Sequence, residues 1–82
     1  MDLTQEIAAA IADAHPYVSL RSALQRHADR GESQESLVAE LTDVMLSFRA
    51  AGAEREEELM LDGVDALTGW GPPHDRIVFR GS

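Results

Sequence analysis

Apolar side chains recur every three or four residues along most of this 82-residue chain. This spacing places them on one face of an α-helix and predicts four helical segments. The first predicted helix runs from Asp2, a suitable N-cap with Gln5 three residues later, to Ala14. Pro16 disfavours helical backbone at the preceding residue, His15, and so ends this helix. The apolar face of this helix contains Leu3, Ile7, Ala10, Ile11 and Ala14.

The second predicted helix begins at Pro16 or Ser19 and ends at Arg30, before a glycine suited to the left-handed position that closes helices. Its apolar face also carries His27 near the C-terminal end, where the helix dipole favours a charged imidazole. We interpret His27 as a boundary residue, with a pH-sensitive group or a ligand as the alternative. The apolar members of that face are Tyr17, Leu20, Ala23 and Leu24.

The third predicted helix opens at Ser33 and closes at Gly52. Its inner stripe contains Leu37, Leu41, Val44, Met45 and Phe48. A second, weaker apolar strip on the opposite side contains Ala39, Leu46 and Ala50. This strip indicates either contact with another chain or the tail, or an isolated exposed leucine, which is common on protein surfaces.

The fourth predicted helix runs from about Ala53 to Gly69, and its short link to the third helix predicts an antiparallel hairpin. Met60, Val64 and Leu67 point inward. Gly63 shares that face; because glycine costs about 1 kcal/mol inside a helix, it suggests close approach of another segment. The opposite face carries Glu54, Glu58, Asp62 and Asp65. We interpret it as a solvated helix face, with a cation site as the alternative.

The tail, residues 70–82, contains the stretch GWGPPHDRIVFR up to residue 80 and predicts an extended strap. Trp70 anchors the strap, and Ile77 and Phe79 face an apolar groove that belongs either to this chain or to a partner. Arg76 and Arg80 are expected to pair with carboxylates of the fourth helix. The predicted fold is therefore all-α: three or four short helices over residues 1–69, followed by the extended tail.

Charge is concentrated in the second half of the helical region. The net charge is −8, and residues 32–69 hold ten carboxylates against two arginines. Such a field repels nucleic acid and anionic lipid and favours basic partners, with simple solubility as the alternative. The chain has neither a leader-like segment nor an apolar run near the roughly 20 residues that cross a bilayer, so we expect a cytoplasmic protein without membrane contact.

Residues suited to catalysis or metal binding are sparse. The chain has no cysteine and no glycine-rich phosphate loop, and its three histidines, at positions 15, 27 and 74, lack paired ligand spacing. We therefore expect no enzyme, no metal site and no cofactor. Arg21, Arg26 and Arg30 form a basic patch, but the helix after it is acidic, so we expect no nucleic-acid partner.

The segment LDGVDALTGWGPPHDRI, residues 61–77, resembles the end of a group of short acidic helical bacterial proteins. In that group an acidic helix closes in a Leu-Thr-Gly-Trp-type turn, followed by a proline, a histidine or serine, and Arg-Ile. The resemblance covers about residues 53–77, and group members often have cysteine where this chain has Gly71. It implies a helical fold, but the group carries no activity to transfer.

Two functions fit these features. The first is a non-catalytic acidic protein-binding module, of the immunity-protein or antitoxin kind, with a protein partner that is basic. The second is a self-associating regulatory or structural homodimer whose tail completes its own fold. Small size and the second apolar strip favour a homodimer in either case. The predicted binding residues are Leu46, Glu54, Glu58, Asp62, Asp65, Trp70, Ile77 and Phe79.

Overall fold

A computed structural model describes residues 2–69 and 76–79 of the chain. These residues form four helices, α1 (Leu3–Ile11), α2 (Pro16–Asp29), α3 (Gln34–Ala51) and α4 (Glu54–Thr68). Residues 76–79 are extended, and the described part of the chain contains no β-strand. The predicted all-α fold is therefore confirmed. Among the described residues, no helix has both the length and the apolar character needed to span a bilayer.

The N-terminal ends of α1 and α3 follow from local hydrogen bonds. The Asp2 carboxylate accepts from the Gln5 amide at 2.9 Å, and the Ser33 hydroxyl oxygen accepts from the Ser36 amide at 3.1 Å. Both side chains satisfy amides that have no partner within their helix, as N-caps do. These contacts confirm the predicted starts of both helices.

The predicted end of α1 at Ala14 is wrong, because the helix stops at Ile11. The Asp13 carboxylate accepts from the His15 amide at 3.0 Å and stabilises a turn before Pro16 is reached. Aspartate offers the backbone this alternative to helical hydrogen bonding. This turn forms one wall of a groove beside α4.

Two helical hairpins make up the bundle. α1 packs against α2, α3 packs against α4, and α2 packs against α4 to join the hairpins. Gly52 has a φ of 74° and lets the chain reverse between α3 and α4. An ion pair across this turn joins Arg49 Nε to Glu57 Oε2 at 2.7 Å.

Gly63 lies where α2, α3 and α4 meet. A Cβ atom added there would lie 2.6 Å from Leu41 Cδ2 and 3.0 Å from Leu20 Cδ2. The close approach predicted from this glycine is confirmed. Leu24 also lies within 4 Å of that position. These three leucines belong to the largest fully buried side chains, which are Leu20, Leu24, Leu37, Leu41, Met60 and Leu67.

The inner stripe of α3 is unevenly buried. Leu37 and Leu41 are buried, whereas Val44, Met45 and Phe48 are only half-buried. Since α3 packs chiefly on α4, the second half of its stripe has less cover than the first. An incompletely covered apolar surface therefore remains on this helix.

Residues 76–79, the described part of the strap, dock on the bundle of their own chain. Ile77 is 2% exposed and joins the hydrophobic core, and its amide donates to the Ala66 carbonyl at 3.0 Å. Phe79 is half-buried, whereas Arg76 and Val78 are exposed, as the alternation predicted. Trp70 and Arg80, for which contacts were predicted, lie outside the described residues.

Replacing Ile77 with alanine is expected to lower the free energy of unfolding by about 2–5 kcal/mol, the usual cost of removing a buried aliphatic side chain. Val78→Ala is the matched control in the same strap, because Val78 is 64% exposed and surface changes stay within about 0.5 kcal/mol. Urea denaturation followed by circular dichroism measures both. Equal stabilities of the two variants would show that the strap is not part of the core.

Candidate functional site

A groove of about 540 Å³ lies between the α1–α2 turn and the first half of α4. We call it the α4 groove. The apolar part of its lining consists of Ile11, Tyr17 and Leu59. The charged part is mostly acidic and consists of Asp13, Arg55, Glu56, Glu58 and Asp62. The three apolar side chains are half-buried, so they leave part of their surface for a ligand. An apolar lining with charged groups at its edge is the usual composition of a binding site.

Negative charge accumulates along this part of α4. Partial burial raises the pKa of the Asp62 carboxyl, and the neighbouring charges of Asp65 and Glu58 raise that pKa further. None of the ion pairs found in residues 2–69 and 76–79 involves these three carboxylates. The α4 groove therefore offers carboxylates that repel one another and can accept a cationic group from a ligand.

The structure separates the predicted binding residues into different surfaces. The four acidic residues predicted on α4, Glu54, Glu58, Asp62 and Asp65, are all exposed, but of these only Glu58 and Asp62 line the α4 groove. Leu46 is exposed on α3 and lines no part of the groove, and Ile77 and Phe79 belong to the strap. Trp70 lies outside the described residues. The α1–α2 turn contributes Asp13, and α2 contributes Tyr17, neither of which the sequence analysis assigned to a site.

Metal binding receives no geometric support in the described part of the chain. Within it, no group of three or more histidine and carboxylate side chains has an arrangement that could hold a metal ion.

A second charged cluster lies inside the bundle, around Glu6 and His27, which are each 5% exposed. The two ring nitrogens of His27 face different carboxylates, Nε2 facing Glu6 on α1 and Nδ1 facing Glu32 after α2. Arg26 Nη2 donates to Glu6 Oε1 at 3.2 Å. An ionised carboxylate only accepts hydrogen bonds, so a doubly protonated imidazolium satisfies both contacts. His27 is therefore a buried residue that joins Glu6 to Glu32, and our prediction of a boundary residue is wrong.

The charge state of Glu6 depends on this cluster. Burial raises the pKa of its carboxyl, but hydrogen bonds from His27 and Arg26 and their positive charges outweigh burial and leave the pKa below its ordinary value. Glu6 was not predicted as a site residue. Its spacing in the sequence could have indicated its burial, because it lies three residues after Leu3 and four before Ala10, on the buried face of α1.

The polar contacts of the strap are made through its backbone. The Gln25 side-chain amide donates to the Val78 carbonyl at 2.8 Å, and its oxygen accepts from the Val78 amide at 3.0 Å. Arg21 Nη2 donates to the Arg76 carbonyl at 3.3 Å. The Arg76 guanidinium lies against Gly69, and no ion pair among the described residues joins it to a carboxylate of α4. The expected pairing of Arg76 is therefore not found there.

Comparison of the chain with protein-family models, with curated proteins and with solved structures finds no match. The functional interpretation therefore rests on the geometry and charge of the described residues. The resemblance of residues 53–77 to short acidic helical bacterial proteins stays a prediction.

Glu6→Gln is expected to destabilise the fold at neutral pH by about 1.5–3 kcal/mol, because it weakens hydrogen bonds to two charged groups. The Glu6 pKa lies below 4.5 in the folded chain, so its contribution is complete above that pH and is lost as the pH falls through the folded value. The stability difference from wild type should therefore shrink in acid. Denaturant titrations at several pH values measure it, with exposed Glu35→Gln as the control; a difference that persists in strong acid would contradict this role.

Proposed function

We propose that this chain is a non-catalytic acidic protein-binding module, of the immunity-protein or antitoxin kind, that docks a basic protein partner in the α4 groove. The observation that supports it is the combination, in one groove, of half-buried apolar side chains with carboxylates that lack cationic partners in the described structure. The apolar lining provides surface for burial, and the carboxylates favour a partner that carries arginine or lysine.

The energetics of α4 agree with a binding role. A raised carboxyl pKa means that the ionised form of Asp62 is less stable in the folded chain than in the unfolded one. The charges around the α4 groove therefore cost the isolated protein stability. Perturbed carboxylates in a groove are more frequent at functional sites than on ordinary surfaces.

The double variant Glu58→Gln/Asp62→Asn tests this proposal. Each exposed charge contributes up to about 1 kcal/mol, so capture of a basic partner from the native host should weaken roughly tenfold. The control Glu35→Gln/Asp43→Asn removes two exposed carboxylates from α3 and changes the net charge equally. It should retain the partner.

Quantitative affinity capture with mass spectrometry measures the bound partner for each variant. Melting temperatures are measured in parallel; the α4 variant should be at least as stable as wild type, because it relieves repulsion around Asp62. Equal losses in both variants would indicate a general charge effect, and no loss in either would contradict docking in the α4 groove.

A self-associating homodimer is the second candidate function. The observation that favours it is the second apolar strip of α3, where Ala39, Leu46 and Ala50 are all exposed, Leu46 by 48%. A second copy packed on this surface would remove apolar area from water, which stabilises association by about 25 cal/mol per Å². In this proposal the strap completes the fold of its own protomer.

Leu46→Glu is expected to convert the wild-type dimer into a folded monomer or a weaker dimer, because it places a charge in the apolar contact. Val18→Glu is the control: Val18 is 62% exposed, but it lies on α2, away from this strip. Light scattering and sedimentation velocity report the mass of each variant. A wild-type chain that stays monomeric at high micromolar concentration excludes this homodimer.

A further inference from the structure

The strap occupies a socket formed by α2 and the end of α4. The socket consists of Arg21, Gln25 and the Ala66 carbonyl, together with the core space that receives Ile77. Only Ile77 enters the bundle fully, since the neighbouring Val78 side chain is 64% exposed. The socket therefore buries one aliphatic side chain and leaves the next one exposed, while Phe79 packs half-buried against the core.

The remaining contacts of the socket recognise extended backbone. Gln25 pairs with both the amide and the carbonyl of Val78, in the manner of a neighbouring strand. Ala66 belongs to the last turn of α4, where carbonyl groups lack partners within the helix, and it accepts from the Ile77 amide. Any extended peptide can make these hydrogen bonds, because none of them depends on a side chain of the peptide.

We propose that this socket is an exchangeable peptide site: an extended segment of the basic partner, with an aliphatic anchor beside an arginine or lysine, displaces residues 76–79 and takes their place. This inference rests on the proposed function and names how such a partner engages the chain. The strap itself is the template, because it places a basic residue, Arg76, directly before its aliphatic anchor. The net charge of −8 favours a segment of the same character.

The polar contacts of the strap permit exchange, while the buried Ile77 provides its anchor. The hydrogen bonds that join Arg21 and Gln25 to the strap lie at exposed positions, where water can replace either partner. The strap belongs to the same chain as the socket, so it competes with a partner segment for the socket at a high effective concentration. A variant that weakens the strap should therefore bind the partner segment more tightly. The strap then acts as an internal competitor for the socket.

The test uses the full chain and the peptide acetyl-Arg-Ile-Val-Phe-amide, which has the sequence of residues 76–79. Val78→Pro weakens the strap by removing the amide that donates to Gln25, and it leaves Ile77 and the socket residues unchanged. We expect this variant to bind the peptide about tenfold more tightly than wild type. The Gln25 side-chain amide resonance should shift as the peptide binds. The peptide with serine in place of isoleucine is the control and should not bind.

Ile77→Ser provides a second weakened strap. Equal peptide affinities in wild type and in every folded variant would overturn exchange, as would an unshifted Gln25 resonance at millimolar peptide. If wild type instead forms a dimer that Ile77→Ser abolishes, the occupant is a second copy and the proposal is wrong.

Failure of this proposal can be distinguished from failure of the proposed function. If capture of the partner depends on Glu58 and Asp62 but no peptide binds in the socket, the exchange proposal is wrong and the proposed function stands. Peptide binding without that dependence keeps the socket and contradicts docking in the α4 groove.

Discussion

The contact of α2 and α3 with α4 at Gly63 joins the two helical hairpins into one bundle. Because this position has no side chain, Leu20 and Leu41 reach the backbone of α4. α4 thereby becomes the shared element of the fold, packed against both of the helices to which these leucines belong. The two surfaces of functional interest follow from this arrangement: the α1–α2 turn meets the first half of α4, and the strap socket forms where α2 meets the end of α4.

Carboxylates serve opposite roles inside and outside this bundle. Glu6 is buried, and its hydrogen bonds with His27 and Arg26 keep its pKa below the ordinary value. Asp62 lies at the surface, and partial burial together with acidic neighbours raises its pKa. The paired carboxylate stabilises the contact between α1 and α2, whereas the unpaired one costs stability in the isolated chain. The Glu6 carboxylate is therefore used within the fold, whereas the Asp62 carboxylate has no ion pair among the described residues.

Local patterns were sufficient to predict the helix starts and the extended segment at residues 76–79. The start of α1 after Asp2, the start of α3 after Ser33 and the alternation around Ile77 are properties of a few consecutive residues, and each was confirmed. The end of α1 was missed because the Asp13 turn competes with helical hydrogen bonds. The Glu6–His27 pair and the α4 groove join residues distant in sequence, so periodicity alone gave no way to pair them. Glu6 could have been assigned to the buried face of α1 from its spacing, but its partner could not.

The positions of the two proposed contact sites along α4 constrain the shape of a partner. α4 has 15 residues, so at 1.5 Å per residue it is about 22 Å long. The α4 groove lies beside its first half, and the strap socket lies at its last turn. Asp65 continues the acidic face beyond Asp62 toward the socket. A partner that engages both sites must therefore carry positive charge along about this length. Joining two weak contacts in one chain increases the overall affinity without requiring either contact to be strong.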